Sequence, residues 1–121
     1  MPSEKRILAF EQETVAGTAD STSFAILPPK KVLENLGEFF KVLTDQTRLK
    51  ILFALGAGEL CVFDLSVSVD ASVSSVSHHL AALRRVRLVK ARREGRIIYY
   101  SLDDDHVKTI VKYAREHLGE I

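Results

Sequence analysis

Apolar residues recur at three- and four-residue spacing in several separate stretches of the chain, which is the period of a helix with one buried face. The first stretch follows Pro28 and Pro29, which suit the first turn of a helix. Its apolar residues form one broad face: Val32, Leu33, Leu36, Phe39, Phe40 and Leu43. A second helix is predicted over "DQTRLKILFAL", where Thr44 or Asp45 can cap the start and the glycines of the following "GAG" mark the end.

The rest of the pattern predicts a short third helix, a fourth helix, a hairpin and a last helix. The third helix starts near Cys61, and Ser72 can N-cap the fourth. The inward-facing residues of the fourth helix are Val76, Leu80 and Leu83. Two β-like stretches, "RLVKARR" and "RIIYYSL", are joined across Glu94-Gly95 as a hairpin, and Asp103 then caps the last helix. This order is the pattern of a winged helix-turn-helix, a mainly helical fold with a β-hairpin wing.

The length of 121 residues suits one compact domain. Residues 1–27 are polar and rich in small residues, and we predict a flexible arm there and the folded domain over residues 28–121. No apolar run approaches the roughly 18 residues of a membrane span, and the start of the chain lacks the continuous apolar segment of a secretory signal. A single cysteine excludes an intrachain disulfide. Together these features predict a cytoplasmic protein.

Basic residues are concentrated in one region of a nearly neutral chain. The net charge is +1, yet the segment from Ser72 to Arg96 holds seven basic residues and one acidic residue. Such a one-sided cluster is typical of a surface that meets an anionic partner, whereas a solvated face usually interleaves both signs. The fourth helix offers small hydroxyls and a histidine that can hydrogen-bond base edges and phosphates: Ser74, Ser75, Ser77 and His78. Three arginines near the hairpin tip could reach a phosphate or a minor groove: Arg92, Arg93 and Arg96.

Each of these residues also has an ordinary structural interpretation. Serine is common at helix starts, and the pair His78-His79 can be simple surface. It is the combination of element order, charge and turn chemistry that favours nucleic-acid binding.

The last predicted helix carries two pairs of potential metal ligands. Asp104 and His106 stand near its start, and His117 and Glu120 near its end, a plausible zinc ligand set. The two histidines are roughly 16 Å apart along a helix, whereas zinc holds its ligands within about 2.2 Å. One helix therefore cannot close this site. Taken separately, Asp104 suits a helix N-terminus and each histidine suits a surface.

Four segments resemble the ArsR/SmtB family of bacterial metal-responsive repressors, and its zinc sensors in particular: "FFKVLTDQTRLKILFAL", "GELCVFDLS", "SVSSVSHHLAALRRVRLVKARREGRIIYYSL" and the terminal D-x-H…H-x-x-E. The resemblance covers about residues 30–121. It implies a recognition helix in fourth place, operator DNA as partner, and a homodimer formed by the first and last helices. It also implies that Ser74, Ser77 and His78 lie closest to DNA. Asp70 stands where the family's turn normally has glycine, and aspartate tolerates a left-handed backbone better than most residues.

A dimer of this kind would also solve the metal geometry. If the two last helices pair antiparallel, Asp104 and His106 of one chain meet the partner's His117 and the partner's Glu120, and twofold symmetry makes two equivalent sites. Four nitrogen and oxygen ligands suit tetrahedral zinc, with cobalt(II) as a substitute. The leading hypothesis is a zinc-responsive transcriptional repressor, whose apo dimer binds operator DNA and whose DNA affinity zinc lowers.

Cys61 and Asp64 correspond to half of a thiolate site. Relatives that sense cadmium, lead or arsenic carry C-x-C in the third helix or add cysteines from the N-terminal arm. Here Phe63 takes the second position, and residues 1–60 contain neither Cys nor His. We therefore favour a half-buried structural cysteine, and a lone cysteine excludes disulfide or persulfide sensing within one chain.

Two other functions stay open. A winged-helix regulator could use its last helix only to dimerise. A zinc hydrolase is disfavoured, because four protein ligands leave no open coordination position and no H-E-x-x-H motif is present. We therefore expect that the protein is not an enzyme.

Overall fold

The structure is a computed structural model that describes residues 26–120, so the arm predicted over residues 1–27 lies almost entirely outside the described residues. The helices are α1 Lys30–Val42, α2 Gln46–Leu55, α3 Val62–Val69, α4 Val73–Arg85 and α5 His106–His117. The strands are β1 Leu60–Cys61, β2 Val89–Glu94 and β3 Ile97–Leu102. This order confirms the predicted helices and hairpin, and β1 is an element that the sequence pattern did not predict. In this part of the chain, no helix is long and apolar enough to cross a membrane.

The chain divides into two compact units at a point inside α1, one up to Gly37 and one from Glu38 onward. In the first unit, the backbone N–H groups of Val32 and Leu33 donate to the carbonyl of Pro29 at 3.0 and 3.1 Å. The helix therefore starts directly after the proline pair, as predicted.

The hydrophobic core of the second unit lies between α2, α3 and α4 and extends to the start of β2. Its largest fully buried side chains are Ile51, Leu65, Val76, Leu80 and Leu83. The last three follow one another on α4 at spacings of four and three residues, so one face of that helix is buried and the opposite face is left for solvent. The inward positions predicted for α4 are confirmed.

Side chains and left-handed residues fix both ends of α4. The Oγ of Ser72 accepts a hydrogen bond from the N–H of Ser75 at 3.0 Å, which confirms the predicted N-cap. In the turn before it, Asp70 has φ of 56°, a left-handed conformation that aspartate tolerates. After the helix, Arg87 has φ of 59°, which no sequence signal indicated.

The wing is a three-stranded antiparallel sheet with the order β1-β3-β2. β2 and β3 form the predicted hairpin, and Gly95 at its tip has φ of 66°, a conformation that glycine adopts without steric cost. β1 pairs with β3, with Cys61 opposite Tyr99. The hairpin is therefore bonded to the segment that leads into α3.

The start of α5 differs from the prediction. The N-cap is Asp105, so the expectation that Asp103 caps this helix was wrong. The Oδ1 of Asp104 accepts from the N–H of His106 at 2.9 Å. The N–H of Asp103 instead donates to the carbonyl of Leu88 at 3.0 Å. Asp105 makes no side-chain cap bond, and the backbone bond that holds Asp103 to Leu88 cannot be read from the local sequence.

Candidate functional site

The exposed face of α4 carries most of the polar side chains predicted to meet DNA. Ser74, Ser77 and His78 are exposed, and Ser77 and His78 follow Ser74 by three and four residues, so the three share one face of the helix. Ser75 is half-buried beside the cap that its N–H makes with Ser72. The first two turns of α4 therefore present two hydroxyls and an imidazole to solvent.

A polar network holds α4 against the N-terminus of α2. The Nε of Arg48 donates to the Nδ1 of His79 at 2.9 Å, and the Nε2 of His79 lies 4.0 Å from the Oδ1 of Asp45. Only 14% of the His79 side chain is exposed. His79 is therefore part of the packing between two helices, whereas the sequence alone left it as possible surface. The signal that could have found it is its spacing of three residues from the buried Val76, which places it at the edge of the inner face.

Asp45 is also the predicted cap of α2. Its Oδ1 accepts from the N–H groups of Thr47 at 2.8 Å and of Arg48 at 3.1 Å. The bond from the Arg48 N–H is the main reason why the pKa of Asp45 lies below its ordinary value, and desolvation works against it. Of the two cap residues that the sequence allowed, Asp45 is confirmed.

In the wing, Arg92 is engaged by two carboxylates. Its Nε and Nη2 donate to Glu59, with the shortest contact 2.8 Å, and its Nη1 donates to Glu94 at 3.1 Å. Its guanidinium carbon lies 4.9 Å from the ring centroid of Tyr99. The bond to Arg92 lowers the pKa of Glu59, and the same contact, with that to Glu94, raises the pKa of Arg92.

Arg93 and Arg96 differ from their neighbour. Both are exposed, and in residues 26–120 neither makes an ion pair with a carboxylate. The polar contact of Arg93 is a long bond of 3.4 Å from Nη1 to the carbonyl of Gly95. These two guanidinium groups at the hairpin tip are open to an anionic partner.

Of the four potential metal ligands, one pair is brought together in the single chain. The Nδ1 of His106 lies 3.1 Å from the Oδ2 of Asp104, and the two side chains are 86% and 54% exposed. They stand at the start of α5, beside a cavity that Arg87 and Leu88 also line. A nitrogen and an oxygen donor are thus presented side by side to solvent.

The other pair lies at the far end of α5. His117 is the last residue of the helix, and Glu120 follows it beyond Gly119, whose φ is 82°. In the described part of the chain, no group of three or more His, Cys, Asp or Glu side chains could hold a metal ion. One protomer thus offers two separate half-sets of donors.

Cys61 and Asp64 are not brought into a ligand cluster. Cys61 is half-buried, belongs to β1 and occupies the N-cap position of α3 without a side-chain cap bond. Asp64 is exposed in the first turn of α3.

Comparison with known proteins places these features among bacterial regulators. The family model described as "Bacterial regulatory protein, arsR family" matches residues 45–91. The chain is 43% identical over 88 residues to the cadmium resistance transcriptional regulatory protein CadC homolog of Staphylococcus aureus, across 72% of this chain and 73% of that one. It is 47% identical over 87 residues to the transcriptional repressor SmtB homolog of Synechocystis sp., across 72% of this chain and 66% of that one.

A solved structure with a similar fold is the homodimeric winged helix-turn-helix DNA-binding domain of a possible ArsR-family transcriptional regulator from Mycobacterium bovis. The TM-score is 0.68 at 30% identity, over 85% of this chain and 93% of that one.

Proposed function

Because the chain belongs to the ArsR family of bacterial regulatory proteins, we propose that it is a zinc-responsive transcriptional repressor. In this proposal the metal-free homodimer binds operator DNA, and zinc held between the two α5 helices lowers the DNA affinity. The observation that carries the proposal is the pair Asp104 and His106 at one end of α5, with His117 and Glu120 at the other. The relatives are transcriptional regulators, so this is a regulator and not an enzyme.

Exposed apolar side chains on α1 and α5 support a homodimer. On α1, Leu33 is 46% exposed and Phe40 is 55% exposed, and on α5 Tyr113 is 61% exposed, with Leu118 at the C-cap 72% exposed. Apolar faces of this kind usually mark a protein–protein contact. A second copy of the chain is the partner that the homodimeric structural neighbour suggests.

The donor set fits zinc when two copies are combined. With α5 helices paired antiparallel, each site receives two imidazole nitrogens and two carboxylate oxygens, a set that zinc accepts in tetrahedral geometry. When bound, zinc would link the two helices through these donors. One relative is named for cadmium resistance, and cadmium, as a soft ion, favours thiolates. This chain has one cysteine, and among residues 26–120 Cys61 belongs to no group of three or more His, Cys, Asp or Glu side chains that could hold a metal ion.

The surface proposed to read DNA is the exposed face of α4 with the wing tip beside it. Ser74, Ser77 and His78 can donate to and accept from base edges in a major groove. Arg93 and Arg96 can meet phosphates or a minor groove. The network of Asp45, Arg48 and His79 supports the proposal, because it holds α4 against the N-terminus of α2 and leaves the exposed face of α4 free.

A second candidate is a regulator in which α5 serves only to dimerise, and a cobalt(II) titration separates the two. The shared site predicts intense visible absorption typical of tetrahedral cobalt, at one ion per protomer. His117→Ala should abolish this absorption, while the control His78→Ala, which removes a histidine from α4, should retain it. Equal spectra for the two variants, or no absorption in the parent, would contradict the shared site.

DNA binding is tested with a duplex selected from a random library by the metal-free protein. Fluorescence anisotropy should give tight binding without metal and weaker binding with zinc, with a ratio of about 5- to 150-fold, the usual range of allosteric coupling. His117→Ala should bind the duplex like the parent and lose the zinc effect. An unchanged affinity on addition of zinc to the parent would refute the metal-responsive part of the proposal.

A further inference from the structure

We propose that Arg92 is a positioning residue that fixes the wing, and not one of the residues that contact DNA. The inference rests on the proposed DNA-binding function and assigns a different role to one of the three wing arginines that the sequence predicts to meet DNA. On sequence alone, Arg92, Arg93 and Arg96 are equivalent basic residues near a hairpin tip. The structure separates Arg92 from the other two by what its guanidinium touches.

The guanidinium of Arg92 is held on several sides at once. Glu59 receives a two-pronged contact from Nε and Nη2, at 2.8 and 2.9 Å, and Glu94 receives Nη1 at 3.1 Å. Charge-assisted, bidentate bonds of this kind fix direction as well as position. The ring of Tyr99 lies beneath the guanidinium at 4.9 Å. Few of the N–H groups of Arg92 remain for a phosphate.

These contacts cross the whole sheet of the wing. Arg92 on β2 lies opposite Tyr99 on β3, and Tyr99 lies opposite Cys61 on β1. Glu59 immediately precedes β1, so the side chain of Arg92 passes over the central strand to reach the far edge. The β1–β3 pairing is only two residues long. The side-chain bridge from Arg92 to Glu59 therefore reinforces a short backbone connection between the hairpin and the segment that leads into α3.

The charge of this cluster argues against a phosphate contact. Arg92 contributes one positive charge, and Glu59 and Glu94 contribute two negative charges, so the three groups together are negative. An ordinary glutamate is already ionised at neutral pH, and the hydrogen bond from Arg92 lowers the pKa of Glu59 further. A phosphate that approached Arg92 would be repelled by Glu59 and Glu94, whose carboxylates already neutralise the charge of the guanidinium. By contrast, Arg93 and Arg96 have no carboxylate partner in the described chain, and their charge is available to DNA.

The salt dependence of DNA binding distinguishes the two roles. Each phosphate contact contributes close to one unit to the slope of log K against log salt concentration. Arg93→Gln and Arg96→Gln should each reduce that slope by about one unit. Arg92→Gln should leave the slope unchanged and lower the affinity by about two- to five-fold, the range for loss of an exposed ion pair that orders a segment. A drop of one unit for Arg92→Gln would overturn the inference.

The contact of Arg92 with Glu59 and Glu94, here called the clamp, is tested by two further variants that keep the charge of residue 92. Arg92→Lys keeps the charge but loses the bidentate geometry, so it should bind DNA as weakly as Arg92→Gln. Glu59→Gln breaks the clamp from the other side and should weaken DNA binding, although it removes a negative charge. If Arg92 contacted phosphate, Arg92→Lys would bind DNA more tightly than Arg92→Gln, and Glu59→Gln would bind DNA more tightly than the parent. Either of these results would contradict a positioning role.

A direct readout in the free protein completes the test. The Nε–H resonance of Arg92 should be protected from exchange with water, and this protection should be lost in Glu59→Gln but not in Arg96→Gln. An unprotected Nε–H in the parent would show that the clamp does not form. A parent that fails to bind any duplex at low salt would contradict the proposed function, whereas a parent that binds but shows the phosphate-contact pattern for Arg92 would contradict this inference alone.

Discussion

Replacing Asp45 by alanine should destabilise the protein by about 1 kcal/mol, because it removes the cap of α2. The Oδ1 of Asp45 accepts from two of the free N–H groups in the first turn of the helix, those of Thr47 and Arg48. Loss of an Asp cap to alanine costs about 1 kcal/mol, within a range of roughly 0.5–2. The side chain is 41% exposed, so water can partly replace the lost acceptor, and we do not expect the upper end of that range.

The control is Asp45→Asn, which keeps an oxygen acceptor at the cap but removes the charge. Asparagine caps about as well as aspartate, and the exposed charge at a helix N-terminus adds only about 0.3 kcal/mol. The expected order of stability is parent, then Asp45→Asn, then Asp45→Ala. For a domain of this size the alanine variant should unfold roughly 4–8 °C below the parent.

Urea unfolding followed by far-ultraviolet circular dichroism is the appropriate assay, because the chain has no tryptophan. Protomer concentration must be equal in all samples, since the stability of a dimer depends on it. The slope against urea should stay constant, so that the shift in midpoint reports stability. An alanine variant within about 0.3 kcal/mol of the parent, or an asparagine variant as unstable as the alanine variant, would refute the reasoning.

The same residue predicts a pH dependence with a definite sign. The pKa of Asp45 is lowered in the folded protein, so its charge contributes stability above the unfolded value of about 3.9, and this contribution is lost as the pH falls through the folded value. The difference in free energy of unfolding between the parent and Asp45→Asn should therefore be constant near neutral pH and disappear below about pH 4. A gap that widens in acid would contradict the lowered pKa.

Three other variants extend these expectations to the core, the turn after α4 and the wing. Leu83→Ala removes a fully buried side chain and should cost about 2–5 kcal/mol, whereas Ala81→Ser on the exposed face should stay within about 0.5 kcal/mol of the parent by the same unfolding assay. Arg87→Gly should stabilise by about 0.5–1 kcal/mol, because a left-handed non-glycine residue costs about 1–2 kcal/mol and glycine about 0.5–1 in chain entropy; Arg87→Ala is the control and should show no gain. Glu59→Gln should be less stable than the parent above about pH 4.5 and equal to it in stronger acid, because the lowered pKa of Glu59 makes the contribution of its charge disappear as the pH falls; a constant difference across this range would contradict the pairing with Arg92.

Local signals in the sequence were enough for most of the fold. The Ser72 cap, the buried positions of α4 and the turn at Gly95 each depend on residues close together in the chain, where spacing and turn chemistry are informative. β1 was missed because two residues cannot show a period, and their strand conformation comes from pairing with Tyr99 and Tyr100 on β3. The cap of α5 was misassigned for a similar reason, since Asp103 is bonded to Leu88 far away in sequence.

The candidate site also combines features that follow from local sequence with features that depend on contacts between residues far apart in the chain. Exposure of Ser74, Ser77 and His78 follows from helical spacing, which the sequence contains. The engagement of Arg92 by Glu59 depends on a contact across 33 residues, which composition and charge clustering cannot reveal. The partition of metal donors into two half-sets follows from the length of α5, and their union in a dimer stays a prediction.

The two left-handed residues on either side of α4 have a consequence for how this protein can change over evolution. At Asp70 the N–H of the following Ala71 closes on the carbonyl of Ser66 at 3.1 Å, and at Arg87 the N–H of Leu88 closes on the carbonyl of Leu83 at 3.0 Å. The first bond closes the C-terminus of α3, just before the Ser72 cap that starts α4, and the second closes the C-terminus of α4. The turns on both sides of α4 are thus set by bonds that do not involve its exposed face. If the face of Ser74, Ser77 and His78 reads DNA as proposed, substitutions at these three positions can change the operator preference with little effect on folding, while the scaffold that presents them is inherited intact.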